Sequence, residues 1–280
     1  MVHAKSDSEN LNTKAQFLSK RCEWPVYQAS SPGRTAHFVV DQGLTWSDIV
    51  VENGRLNNGQ EEIREFGMNA CGVNLIEHQT AVNNFLDKDQ TDTTYTTEID
   101  ALLKAITGCY RTHIFDLTVR ASDPELREIK QVREASLLVH NDYTARSGFT
   151  CLHESLKEEA EALAEGRFQI INVWRPLVNP VENFPLAFCD KRSIDPEDLI
   201  DTIRKGPTHE GEIILAVHNP AQRWFYYPEM NPDEVLLFKT FDSISLGGEP
   251  CSFHSAIEIP GAEDAPPRES VEIRALVFYH

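Results

Sequence analysis

A chain of 280 residues, 41% of them hydrophobic and 9% aromatic, is long enough to bury a substantial core. Its net charge of −18 argues against a nucleic-acid partner, because phosphate binding needs clustered Lys and Arg. No stretch approaches the roughly 20 apolar residues of a membrane span, and the polar start Met1–Asn10 has no apolar secretory segment, so no membrane partner is expected.

No repeat, low-complexity tract or Gly/Ser linker divides the chain, and one domain over residues 1–280 is expected, with residues 1–20 loose. His37–Val40, within Thr35–Asp41, reads as an early strand, and Arg64–Phe85 as mixed strand and short helix. Thr97–Glu98–Ile99 opens a helix with a stripe of Ile99, Leu102, Leu103 and Ile106, stopped by Gly108. Arg111–Val119 reads as a strand, and Ser122–Asp123–Pro124 as an N-cap followed by proline in the first turn.

Ala135–Thr144 is expected to be a strand, Leu152–Gly166 a helix, and Phe168–Val178 a β-rich run broken by Pro176. A helix is expected from Asp195–Pro196 to Gly206. Four strands should then follow, at Glu212–His218, Arg223–Tyr227, Glu234–Phe241 and Val271–Tyr279. Short strands joined by Pro- and Gly-containing turns favour a mainly β fold with flanking helices and a jelly-roll, cupin-like core. G-x-G-x-x-G and Walker-type loops are absent from the sequence, so nucleotide-binding folds have no support. Six dispersed cysteines without a C-x-x-C pair suggest neither a zinc site nor a disulfide framework, and point to a reducing cytoplasm.

Chemistry concentrates in His140–Asn141–Asp142. In an extended strand residues i and i+2 share a face, so His140 and Asp142 project together while Asn141 turns away. Two histidines and one carboxylate form the ligand set of a non-haem Fe(II) centre with open positions. Among the distant histidines, His209 and His218 lie near loops, whereas His254 is followed by a basic anchor and a terminal strand. The expected catalytic and metal-binding set is therefore His140, Asp142 and His254.

Arg268–Glu269–Ser270 places a guanidinium and a hydroxyl on one strand face, a clamp suited to the far carboxylate of 2-oxoglutarate. Arg274 has the same strand parity and is a second candidate for the clamp. Alternation puts Asn172 and Trp174 on one face and Arg175 on the other; Asn172 would bond the co-substrate and Arg175 hold an acidic substrate. Tyr143 and Tyr226 are candidate pocket walls.

Several phrases together resemble fungal hydroxylase/desaturases of secondary metabolism. They are Val139–Thr144 (VHNDYT), Asn172–Leu177 (NVWRPL), Pro185–Asp190 (PLAFCD), Phe241–Ser243, Phe253–Ala256 (FHSA) and Pro267–Arg274. That group includes gibberellin desaturase-like and aspergillic-acid-type enzymes and relatives of the cephem 7α-methoxylases. The resemblance covers residues 105–280 well and the N-terminal third loosely. It implies a double-stranded β-helix with His140, Asp142 and His254 as ligands to Fe(II). It also implies 2-oxoglutarate as co-substrate, O2 as oxidant and hydroxylation or desaturation of a small-molecule substrate. The fourteen-residue step from His254 to Arg268 is longer than in plant-type enzymes with an Arg-x-Ser motif, which keeps Arg274 in contention. The alternative is a non-enzymatic cupin-like binding barrel without iron.

Overall fold

The computed structural model describes residues 10–21, 23–29, 31–33, 43–55, 71–206, 210–245 and 252–280. The strand expected at His37–Val40, residues 64–70 of the Arg64–Phe85 stretch and His209 lie outside the described residues. Two sheets face each other as the expected jelly roll.

The first sheet contains β1 (Asn10–Leu18), β2 (Val26–Gln28), β3 (Leu44–Asn53), β7 (His140–Asn141), β9 (Leu186–Cys189), β10 (Leu199–Lys205), β11 (Glu210–Ala216), β12 (Trp224–Tyr226) and β14 (His254–Ala256). Its order is β1-β3-β12-β9-β14-β7-β11-β10-β2. The second contains β4 (Val73–Glu77), β5 (Arg111–Ala121), β6 (Arg133–Glu134), β8 (Phe168–Pro176), β13 (Glu234–Asp242) and β15 (Glu269–Phe278), in the order β4-β13-β8-β15-β5-β6.

Strand β8 sits between β13 and β15 and is buried along its whole length, as a continuous apolar run predicts for a central strand. One face of this sheet closes on α1 (Thr96–Thr107), whose Ile99 and Leu103 pack with Ile171, Val173 and Ile273. Gly108 ends that helix in the left-handed region, at φ 70°, where a Cβ is disfavoured. The other face turns inward, where Trp174, Phe188, Phe225, Leu236 and Phe238 form the packing between the sheets. The Asp123 carboxylate caps α2 (Pro124–Lys130) by accepting from the Leu126 amide at 2.8 Å.

Several expectations change. Asn10–Leu18, expected to be loose, pairs with β3 along its length and buries Ala15 and Phe17. Its alternation is masked in the sequence by the polar residues of the outer face. The helix expected over Leu152–Gly166 is α3 (Ala145–Leu156) and α4 (Ala160–Ala164), interrupted at Lys157, whose φ is 44°. A Thr144 capping box starts α3 earlier than its apolar content suggested. The helix expected from Asp195 to Gly206 is a single turn at Pro196–Asp198 followed by β10, where Ile200 and Thr202 alternate inward. The strand expected over Ala135–Thr144 is regular only at His140–Asn141, with one further bridge from Leu138 to Gln16.

Candidate functional site

His140 and His254 are direct partners across β7 and β14, so their imidazoles leave neighbouring strands on the same face. The rings lie 4.5 Å apart at their centroids. One ligand atom from each of His140, Asp142 and His254 falls within 4.8 Å of the others, as the sequence spacing predicted.

Both rings are oriented in the same way. His140 Nδ1 lies 2.7 Å from the Leu138 carbonyl, and His254 Nδ1 lies 3.0 Å from the Ser252 carbonyl. A carbonyl oxygen only accepts, so each Nδ1 carries a proton, the arrangement that presents Nε2 to a metal. Burial foremost, then the neighbouring His140, push His254 down to about 3, which keeps it neutral and able to ligate. Phe238 and Phe188 pack against its ring at 4.8 and 6.0 Å.

Asp142 emerges from a bend fixed by Asn141, whose buried amide donates to the carbonyls of Tyr143 (2.7 Å) and Thr240 (3.0 Å). Oδ1 of Asp142 faces His140 Nε2 at 3.5 Å. Oδ2 accepts from Asn172 Nδ2 at 2.7 Å and from Arg274 Nε at 3.0 Å. Those two donors are partners on one rung of β8 and β15, and Thr240 Oγ1 donates to Asn172 Oδ1 at 3.3 Å. Burial alone would raise the Asp142 carboxyl, but the Arg274 guanidinium, then His140 and His254, hold it well below the usual carboxylate range. The carboxylate therefore stays ionised with Oδ1 facing the two imidazoles.

Arg274 also ion-pairs with Asp116 and Glu272. Its charge is thus committed to three protein carboxylates. Arg268 differs. It is 1% exposed, lies over the Trp174 ring at 5.6 Å and donates from Nη1 to the Phe184 carbonyl at 2.9 Å. Its buried Nε and the buried Oγ of Ser270 have no partner among the described residues. Burial, with Arg120 adding repulsion, lowers the guanidinium to about 9. A buried cation without a paired carboxylate is destabilised until an anion reaches it.

Asn172 sits at the triad as strand parity predicted, although its amide serves Asp142 and Thr240. Arg175 does not face the site. It lies buried on the opposite face, bonded to the His78 and Pro232 carbonyls, the His78 ring and the Tyr95 hydroxyl. That corrects the expectation that it holds an acidic substrate. Tyr226 pairs with Ala187, the residue beside the His254 partner Phe188, and so faces away from the triad. Tyr143 lines a cavity of about 520 Å³ that opens beside His140, Asp142 and Arg274. Sequence reading missed Asp116 and Glu272, whose tie to Arg274 depends on β5–β15 register and on strand parity.

Two imidazoles and one ionised carboxylate suit Fe(II) with open coordination positions, and the orphaned Arg268 Nε and Ser270 Oγ suit a carboxylate. A family profile described as "Oxidoreductase/YMDC permease-like domain" matches residues 25–278. The Fe(II)/2-oxoglutarate-dependent dioxygenase nvfI of Aspergillus novofumigatus is 30% identical over 233 residues, covering 80% of this chain and 82% of that protein. The chain belongs to the fungal Fe(II)/2-oxoglutarate-dependent dioxygenase and hydroxylase/desaturase family. The hydroxylase/desaturase efuI of Hormonema carpetanum is 31% identical over 255 residues, covering 82% of this chain and 83% of its own. A solved structure of the iron- and α-ketoglutarate-dependent endoperoxidase NvfI superposes with a TM-score of 0.80 at 27% identity, over 97% of this chain and 98% of that one. As a member of this dioxygenase family the protein is an Fe(II)/2-oxoglutarate-dependent oxidoreductase, and the non-enzymatic barrel is set aside. No described helix is long and apolar enough to cross a membrane.

Proposed function

We propose that His140, Asp142 and His254 hold Fe(II), and that Arg268 with Ser270 clamps the far carboxylate of 2-oxoglutarate. The reaction is the O2-dependent hydroxylation or desaturation of a small-molecule intermediate of secondary metabolism, the outcome pair named for the relative efuI. The observation that carries this reading is the convergence of three oriented donors from β7, the bend after it and β14. When bound, iron and co-substrate supply the oxidising power, with 2-oxoglutarate decarboxylated to succinate and CO2.

The chain's own residues bind, orient and exclude water. The Leu138 and Ser252 carbonyls hold both imidazoles in the ligating tautomer, and such outer partners tune metal affinity. Arg274 and Asn172 occupy Oδ2 of Asp142 and leave Oδ1 to the metal. Phe188 and Phe238 keep water from the His254 side. Because Arg274 is committed to Asp142, Asp116 and Glu272, Arg268 is the better clamp. The substrate enters through the cavity beside His140 and Asp142. Free thiols at Cys71, Cys109, Cys151 and Cys189 suit a cytoplasmic setting.

Uncoupled turnover, the release of succinate from 2-oxoglutarate under air without substrate, tests the assignment. His140→Ala and Asp142→Ala should each abolish it. Full turnover by either variant would overturn the site.

A further inference from the structure

The cavity beside the triad has one wall that the oxygenase reading leaves unexplained. Arg120 and Arg133 are direct partners across β5 and β6, so they project from the same sheet face. Arg120 pairs with Ser270 and Asp116 with Arg274, which makes this the inward face of the sheet. On the facing sheet, Arg204 pairs with Gly211 and shares the parity of Leu215, the partner of His140. Three guanidinium groups from opposed sheet edges therefore line one cavity of about 520 Å³.

The carboxylates on the same cavity are largely committed. Asp142 and Asp116 pair with Arg274, Glu212 pairs with Arg146 and accepts from Thr144 Oγ1, and Glu134 and Glu154 also line the cavity, each engaged in an interaction of its own. Arg120 donates to the Glu134 carbonyl at 3.0 Å, whereas neither Arg133 nor Arg204 has an ion pair with a described carboxylate. Burial, then Arg120 and Arg204, hold Arg133 below the ordinary guanidinium range. Burial likewise lowers Arg204, outweighing Tyr27 and Asp142, with Arg274 and Arg120 adding repulsion. Half-buried like charges facing each other across a cavity are stabilised when an anion enters between them.

We infer that this wall recognises the substrate's own carboxylate: the enzyme acts on a carboxylic acid gripped by Arg133 and Arg204. Its carbon frame then lies against Phe115, Leu138 and Tyr143, beside His140 and Asp142. A planar guanidinium fork matches a carboxylate in bidentate fashion. This inference rests on the oxygenase reading.

The test is a calorimetric titration of protein loaded anaerobically with Fe(II) and saturating 2-oxoglutarate, so that Arg268 is already engaged. Benzoate and its neutral methyl ester are the probes. Benzoate should bind in the millimolar range or better, and methyl benzoate at least about tenfold more weakly. Arg133→Gln and Arg204→Gln should each weaken benzoate about ten- to a hundredfold, as loss of a charge-assisted bond does. Arg204→Lys, which keeps the charge, should stay within about tenfold of wild type, and thermal denaturation identifies any misfolded variant. All three variants should bind 2-oxoglutarate like wild type. Equal binding of acid and ester, unchanged benzoate binding in both Gln variants, or binding of phenyl phosphate but not benzoate would overturn the inference. Loss of 2-oxoglutarate affinity in the Gln variants would also overturn it, by giving these arginines to the co-substrate. Wild-type protein that takes up neither Fe(II) nor 2-oxoglutarate would instead remove the oxygenase reading, and this inference with it.

Discussion

Replacing Arg274 by Met removes the one described arginine or lysine that ion-pairs with two buried carboxylates. Asp142 and Glu272 are only 11% and 5% exposed at their side chains, whereas Asp116 is 35% exposed and can regain water. Removing one partner of a buried ion pair typically costs about 3–5 kcal/mol, because the other charge is left uncompensated. At roughly 2 °C per kcal/mol for a chain of this size, metal-free Arg274→Met protein should melt about 6–10 °C below wild type. Arg274→Lys should fall between the two, since one ammonium cannot reach three carboxylates with a guanidinium's geometry. A divalent ion should restore part of the loss in Arg274→Met, because it returns positive charge to Asp142; saturation at a hundred times Kd adds about 2.7 kcal/mol. Thermal denaturation followed by circular dichroism, with and without Mn(II), makes the comparison. Melting within a degree or two of wild type in the absence of metal would refute the claim that Arg274 is the counter-charge of the site.

Arg268→Met should weaken 2-oxoglutarate binding about a hundredfold or more without lowering thermal stability, because the buried cation it removes has no protein carboxylate; calorimetry and melting read the two effects separately. Ser270→Ala should cost about tenfold in 2-oxoglutarate affinity, the loss of one bond to a charged group. Burial would raise Asp242, but Arg167, Lys239 and Gln169 outweigh it and draw the carboxyl from 3.8 down to about 2. A depressed carboxyl stabilises the fold above its unfolded value and loses that contribution as pH falls through the folded one. Asp242→Asn should therefore cost about 2 kcal/mol at neutral pH, with the difference from wild type vanishing between about pH 4 and 2 in acid titrations. Gly148→Ala on α3 would put a Cβ 2.2 Å from the Phe241 ring and should destabilise by about 1–3 kcal/mol in urea unfolding.

Much of the site was legible because local rules fix it. Parity along an extended strand put His140 with Asp142 and Asn172 with Trp174, and also placed Arg175 on the far face. What parity does not supply is the identity of the opposing rung. The pairing of Arg274 with Asn172 and Asp116, which turns a candidate clamp into the partner of Asp142, is a matter of register among β5, β8 and β15. The fold was legible where strands are continuous and apolar, as in β8 and β13. It was least legible in β1, where exposed polar residues dilute the pattern, and after Pro196, where an N-cap signature leads into one turn and then a strand. The resemblance covered residues 105–280 well and the N-terminal third loosely, and the family profile matches residues 25–278.

The central claim is that His140, Asp142 and His254 form one iron site that accepts 2-oxoglutarate. Anaerobic titration with Fe(II) and then 2-oxoglutarate tests it most directly. Wild-type protein should take up one Fe(II) per chain and develop the visible charge-transfer band of a keto-acid chelate, and Asp142→Ala should show neither. Wild-type protein that binds no iron, or an Asp142→Ala variant with the full band, would contradict the account.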